Sequence, residues 1–217
     1  MATTGKPAAL LLGDMELAPY HPLEAVQDEI RGVVEAEGYT LQISTDYDQL
    51  RADSIQAYDL ILSYTDCWNE HPPVTREQAA GLLAYVSGGG SLLVLHTGIS
   101  LQSRHEMSAL FGAKFTGHPP FRELSFRVED QDHPIMQGID PFSLADEPYE
   151  FDFSPFVDTQ VLLSYEDGEK RRPAAWAHEF GLGHVVYLMP GHQKEAFQHP
   201  MVRKLIANAV KVLSSGE

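Results

Sequence analysis

The chain reads as an α/β protein built on a mostly parallel sheet with helices on both faces. Three observations predict this. Short continuous apolar runs end in turn residues, amphipathic stretches of helical period lie between them, and the two alternate through the first half of the chain. Residues 8–12 (AALLL), followed by Gly13-Asp14, form the first buried strand. Residues 22–38 switch to helical period, with Leu23, Val26, Ile30, Val33 and Val34 on one face and Gly38 as the stop. Strands follow at 40–44 and 58–64 (YDLILSY). The next helix opens at Thr75 with Gln78 in capping-box spacing, carries Ala79, Leu82, Leu83 and Val86, and ends at Gly88-Gly89-Gly90. Residues 91–95 (SLLVL) are the fourth strand, then come His96-Thr97-Gly98 and a short helix expected to be capped by Ser103 and Glu106. The four strands are expected to be adjacent and parallel.

The stretch 113–172 departs from this pattern. It is rich in proline and aromatics, with strand-like pieces at 124–128 and 161–165, and reads as a β-rich insertion packed on one edge of the sheet. Regular pattern returns over 173–213, with strands at 174–177 and 184–189 and a closing amphipathic helix. Val202, Leu205, Ile206, Ala209, Val210 and Leu213 form its buried stripe. The chain is thus one domain: a parallel α/β half over 8–112, the insertion, and the return to the sheet.

Composition excludes several classes. With 217 residues, 43% of them hydrophobic, the chain can build a core without staples. Fifteen Lys and Arg against 31 Asp and Glu leave a net charge of -16, a field that repels nucleic-acid phosphates and anionic lipid. Cys67 is the only cysteine, so an intrachain disulfide and a cysteine-based zinc site are both excluded. A polar start and short apolar runs suggest neither a signal peptide nor a membrane span, which makes the cytoplasm the expected location.

Open α/β sheets place their sites beyond the carboxyl ends of the strands, near the point where strand order reverses. After the first strand come Asp14, Glu16, Tyr20 and His21; after the third, Thr65, Asp66, Trp68 and His71; after the fourth, His96 and Thr97; after the late strand, Gly191 and His192. A histidine follows each of them. His96 stands at a strand-to-helix corner, where α/β hydrolases and amidotransferases hold their nucleophile. Gly117-His118 and Asp146-Glu147 add polar groups to the aromatic segment. By contrast, His71, His105, His178, His184 and His199 read as solvated or hydrogen-bonded structural residues, and His133 as a turn former. The bland alternative for the segment pairs Glu147 with Arg122 and ties His118 to a backbone carbonyl. No G-x-S-x-G, H-E-x-x-H, P-loop or G-x-G-x-x-G motif is present, and the lone cysteine follows the third strand rather than the fourth.

Six segments carry a family resemblance: Tyr20-His21-Pro22, the run from Gly89 to His96 (GGSLLVLH), Gly117-His118-Pro119, Asp132-His133-Pro134-Ile135, Asp146-Glu147-x-Tyr149 and Gly191-His192. In this order and spacing they resemble the ThuA-like family. The resemblance implies a flavodoxin-like three-layer fold of the class I glutamine amidotransferase type and a role in disaccharide or keto-sugar utilisation. It also implies that the amidotransferase cysteine is lost, with His96 at or next to its place.

Three functions remain open at this level. The first is an enzyme acting on a sugar by acid–base chemistry, with His96, His118, Glu147 and His192 as catalytic groups and Tyr20, His21, Asp66, Thr97 and Tyr149 binding substrate. This reading needs no cofactor. The second places zinc or another divalent metal on His96, His118, His192 and Glu147. The third is a non-catalytic sugar-binding or regulatory protein. The expected partner is a small-molecule sugar, with no nucleic acid and no membrane; homo-oligomerisation is left open.

Overall fold

The computed structural model describes residues 5–15, 18–68 and 74–216; Glu16 and His71 lie outside the described residues. The elements in chain order are β1 (Ala8–Gly13), α1 (Leu23–Ala36), β2 (Thr40–Ser44), β3 (Leu60–Tyr64), α2 (Arg76–Ser87) and β4 (Ser91–Leu95). A 3-10 helix over His96–Ser103 then leads into α3 (His105–Phe111). The segment after it forms β5 (Ala113–Gly117), β6 (Arg122–Val128), β7 (Phe142–Asp146), β8 (Glu150–Phe153) and β9 (Gln160–Asp167). The chain closes with β10 (Lys170–Phe180), β11 (Gly183–Leu188), α4 (Lys194–Gln198) and α5 (Pro200–Ser215).

Nine strands form one sheet in the order β2-β1-β3-β4-β11-β10-β9-β6-β7. The first four are adjacent and parallel, as their apolar runs require, and β11 joins them in parallel beside β4. Strands β3 and β4 are buried along their whole length, because helices cover both faces. Helix α1 packs with α4 and α5, and α2 packs with α3. The predicted stripe of α5 is the one that is buried, and Thr75 and Gln78 form a complete capping box on α2.

Two expectations fail. The sheet is mixed rather than mostly parallel, because β11/β10, β10/β9, β9/β6 and β6/β7 all pair antiparallel. The reason is chain length. Only Gly181 and Leu182 separate β10 from β11, and so short a link closes a hairpin, whereas a parallel pair needs a crossover of a dozen or more residues. Gly181, at φ +65°, makes the turn. Helix α3 is not capped by Ser103 and Glu106; Arg104 is its N-cap residue and no side-chain cap bond forms. The Glu106 carboxylate is instead engaged by Arg104 and His105.

The insertion lies against the sheet edge through β6, β7 and β9, while β5 and β8 form a separate antiparallel ladder in which Gly117 faces Glu150. That ladder brings the end of β5, just before His118, beside the start of β8, just after Glu147 and Tyr149.

The tightest approach near the site is between the 3-10 helix and β3. A Cβ on Gly98 would lie 2.0 Å from the Ser63 carbonyl oxygen. Gly98→Ala must therefore push backbone from backbone, and overpacking of this kind removes about 1–3 kcal/mol. A lowered midpoint of denaturant unfolding checks this; an unchanged midpoint would show that the 3-10 helix is not held where it is described.

Candidate functional site

Because β1, β3, β4 and β11 are parallel, their carboxyl ends open on the same side, around the reversal of strand order between β1 and β3. His21 enters from the link between β1 and α1, Asp66 follows β3, His96 follows β4 directly, and His192 follows β11. The link between β7 and β8 lays Asp146 and Glu147 across these ends. Of these, His21, Asp66 and Glu147 line a cleft of about 610 Å³, together with Pro19, Tyr20, Trp68, Phe115, Gly117, His118 and Tyr149, while His96, His192 and Asp146 lie behind its wall.

His96 is fully buried, and at φ +43° it is the one non-glycine residue in the left-handed region among those described. For a residue with a Cβ this conformation is strained by about 1–2 kcal/mol. Its surroundings hold it there. The Tyr187 hydroxyl donates to the His96 carbonyl at 3.2 Å, and His96 Nδ1 lies 2.6 Å from the Met189 carbonyl oxygen. A carbonyl can only accept, so Nδ1 carries the hydrogen and Nε2 presents a bare lone pair to Glu147 Oε2, 3.3 Å away. Burial lowers the pKa of this ring and keeps it neutral.

His21 follows the same logic. Its Nδ1 lies 3.0 Å from Asp66 Oδ1, which also accepts from the Thr97 hydroxyl at 3.0 Å. Its Nε2 is therefore turned inward, 2.9 Å from His192 Nδ1 and 3.4 Å from Glu147 Oε2. Burial lowers the His21 pKa, but the Asp66 and Glu147 carboxylates outweigh it and the net direction is up. His192 Nδ1 lies 3.2 Å from Glu147 Oε2. Burial would raise the Glu147 pKa, but the surrounding imidazoles, His192 first, outweigh it and the net direction is down.

His118 stands apart from this group. Its Nδ1 donates to the Pro119 carbonyl at 2.9 Å, and its Nε2 lies 3.7 Å from the other Glu147 oxygen, Oε1. The carbonyl bond of the bland reading is present, but Glu147 does not pair with Arg122, which engages Asp167. His118 thus sits at the cleft mouth, while His21, expected among the substrate-binding residues, occupies the inner position that a metal reading had assigned to His118. The four inner donor atoms, from His21, His96, Glu147 and His192, all lie within 4.8 Å of one another.

Of the remaining expected binding residues, Tyr20 lies exposed at the rim. Thr97 is buried, accepts from Trp68 Nε1 at 3.2 Å and donates to Asp66, so it braces Asp66 instead of lining the cleft. Tyr149 is buried with its ring 4.3 Å from that of His96 and stacked 5.5 Å from that of His118. Phe115 and Trp68 extend this wall, with centroids 4.3 Å from Tyr149 to Phe115 and 5.0 Å from Phe115 to Trp68.

Asp146 is a positioning residue that sequence reasoning did not single out from its neighbour. Its oxygens accept from the backbone N–H groups of Gly191 at 2.8 Å, His192 at 3.3 Å and Glu147 at 2.8 Å. Burial raises its pKa. No pattern in the sequence says which of two adjacent acids turns inward to the backbone. Three further histidines serve structure: His133 and His199 accept from the backbone N–H groups of Ile135 and Met201, and His178 donates to the Leu110 carbonyl.

The mixed α/β sheet, with a strained imidazole at the corner after β4, is similar in fold to glutamine amidotransferase-like proteins. The chain belongs to the ThuA family, described as trehalose utilisation, which matches residues 16–212. Among solved structures it is similar to a ThuA-like protein from Bacteroides uniformis, at 20% identity over 96% of this chain and 91% of that one, with a TM-score of 0.77. A ThuA-like protein from Parabacteroides merdae aligns at 15% identity over 98% and 91%, with a TM-score of 0.80. PurLQS from Thermotoga maritima aligns at 16% identity over 95% and 98%, with a TM-score of 0.60. No curated protein matches. Among the described residues no helix is long and apolar enough to cross a membrane.

Cys67 is buried, and burial followed by the Asp14 carboxylate pushes its thiol up to about 11. At about pH 8 its thiolate fraction is then roughly a hundredfold below that of an ordinary cysteine. Alkylation of the native chain should be slower than that of the unfolded chain by at least this factor. Equal rates, followed by mass spectrometry, would contradict the burial described.

Proposed function

We propose that this protein is an enzyme of carbohydrate utilisation that acts on a disaccharide or keto-sugar by His and Glu proton transfer and has no glutamine amidotransferase activity. One observation carries the reading: a single carboxylate, Glu147, divides its oxygens between a closed nest of three imidazoles and a fourth imidazole at the cleft mouth. His118 Nδ1 is occupied by a carbonyl, so its Nε2 lone pair is free to take a proton from a sugar hydroxyl, or from a carbon beside a carbonyl, and to return it. The wall of Trp68, Phe115 and Tyr149 offers aromatic faces to the apolar side of a pyranose, and Tyr20 covers the outer end.

Family membership supports the sugar class, and the position of the thiol supports the missing amidotransferase activity. A cysteine-dependent mechanism needs an activated thiolate at the corner after β4, where His96 stands. Cys67 is buried after β3 among acidic neighbours that disfavour its thiolate. The small partner suits the net charge of -16, which opposes nucleic acid and anionic membrane surfaces. A cytoplasmic location is part of the same reading.

The test is turnover of a panel of disaccharides, trehalose included, and their keto forms, followed by NMR. Glu147→Gln and His118→Ala should each lower turnover by about 10²–10⁴-fold, the usual worth of a general acid or base. Cys67→Ser should leave it intact; a loss beyond about a hundredfold, roughly 2.7 kcal/mol of transition-state stabilisation, would reinstate the thiol. Hydrolysis of glutamine to glutamate by the wild-type chain would overturn the reading directly.

A further inference from the structure

We infer that His21, His96, Glu147 and His192 together hold one divalent transition-metal ion. The inference deepens the proposed function, since it supplies an electrophile beside the sugar, but it stands on its own geometry. A tetrahedral ion bound at 2.0–2.1 Å sets its donor atoms about 3.3–3.4 Å apart. The observed separations are 3.3 Å from His96 Nε2 to Glu147 Oε2, 3.4 Å from His21 Nε2 to the same oxygen, 3.2 Å from His192 Nδ1 to it, and 2.9 Å between His21 and His192. All four atoms fall within 4.8 Å of one another. Four of the six separations are thus close to those of ligands around a common centre, and the two from His96 to the other rings fall within the 4.8 Å bound.

Hydrogen counting points the same way. His21 and His96 both spend their one hydrogen outward, on Asp66 and on the Met189 carbonyl. Their inner nitrogens then face a carboxylate oxygen with lone pairs only. The neutral cluster has one hydrogen to offer, on His192 Nδ1, for three acceptors. Lone pairs so close repel unless a cation lies between them.

Each donor is also braced from outside, as metal ligands are. Asp66 and the Met189 carbonyl orient His21 and His96, and Asp146 holds the backbone of both Glu147 and His192. Three imidazoles and one carboxylate suit zinc, iron, cobalt or nickel better than calcium or magnesium, which favour all-oxygen shells. Four protein donors fill a tetrahedral shell, so a sugar carbonyl or hydroxyl would have to join as a fifth ligand from the cleft side, where His21 and Glu147 line the wall near His118.

The experiment strips the full chain with a chelator and titrates it calorimetrically with Zn²⁺, Co²⁺, Mn²⁺ and Fe²⁺ (the last without oxygen), while elemental analysis covers the protein as purified. The expected result is one ion per chain, with Co²⁺ giving the visible bands of a low-coordinate nitrogen–oxygen site. His96→Ala should abolish binding. Glu147→Gln and His192→Ala, milder changes at partly exposed positions, should weaken it at least tenfold, and Asp66→Asn by about 10–100-fold. His105→Ala, at an exposed site beside Glu106, should change nothing. If none of the four ions binds, or if stoichiometric binding survives Glu147→Gln and His192→Ala, the inference is wrong and any ion lies on the acidic surface. A bound ion without turnover of any sugar would remove the proposed activity and leave the metal centre standing. Turnover by the stripped chain, with none of the four ions binding, would do the reverse.

Discussion

Asp146 is the carboxylate on which the cleft depends. It is fully buried, and its two oxygens gather backbone N–H groups from two distant parts of the chain. Gly191 and His192 come from the link after β11, and Glu147 from the link between β7 and β8. Charged acceptors form stronger hydrogen bonds than neutral ones, so this clasp resists being pulled apart by loop motion. The sheet ladder fixes the insertion strands, and the Asp146 clasp adds the tie between the link that carries Glu147 and the link after β11. With that tie in place Glu147 meets His21, His96 and His192.

The clasp divides the cleft into two chemical regions. Inside lies a nest of imidazole nitrogens around one carboxylate oxygen, with the His21 and His96 rings oriented by outer acceptors. Outside lies an aromatic wall ending in His118. Tyr149 joins the two, with its ring against His96 on one side and His118 on the other. The cleft therefore combines an apolar surface able to hold a sugar ring with a polar floor able to move protons or polarise oxygen. The strained corner after β4 carries an imidazole whose Nε2 points into the nest.

Strain at that corner is affordable because the surroundings over-determine it. The His96 carbonyl accepts from Tyr187, its ring donates to Met189, and the helical turn that follows is pressed against β3 at Gly98. Small changes in this packing would move Nε2 relative to Glu147. Local backbone geometry and site chemistry are thus a single constraint.

The parallel core was legible in the amino-acid sequence, because a strand buried on both faces must be continuously apolar and a helix covering it must alternate at helical period. Leu60–Tyr64 and Ser91–Leu95 show the first property, and α1 and α5 the second. The gathering of polar residues after those strands was legible for the same reason, since chain direction alone sets which end each loop leaves from. Sequence periodicity is a local property, however, and pairing direction at the far edge is not. The antiparallel half of the sheet followed from link lengths and from the space left beside β11. Which histidine reaches the nest was likewise decided in three dimensions. His21 turns inward because Asp66 captures its outer nitrogen, and His118 stays at the mouth because its own Pro119 carbonyl does. Those partners lie 45 residues away in one case and one residue away in the other, a difference that no motif spacing encodes.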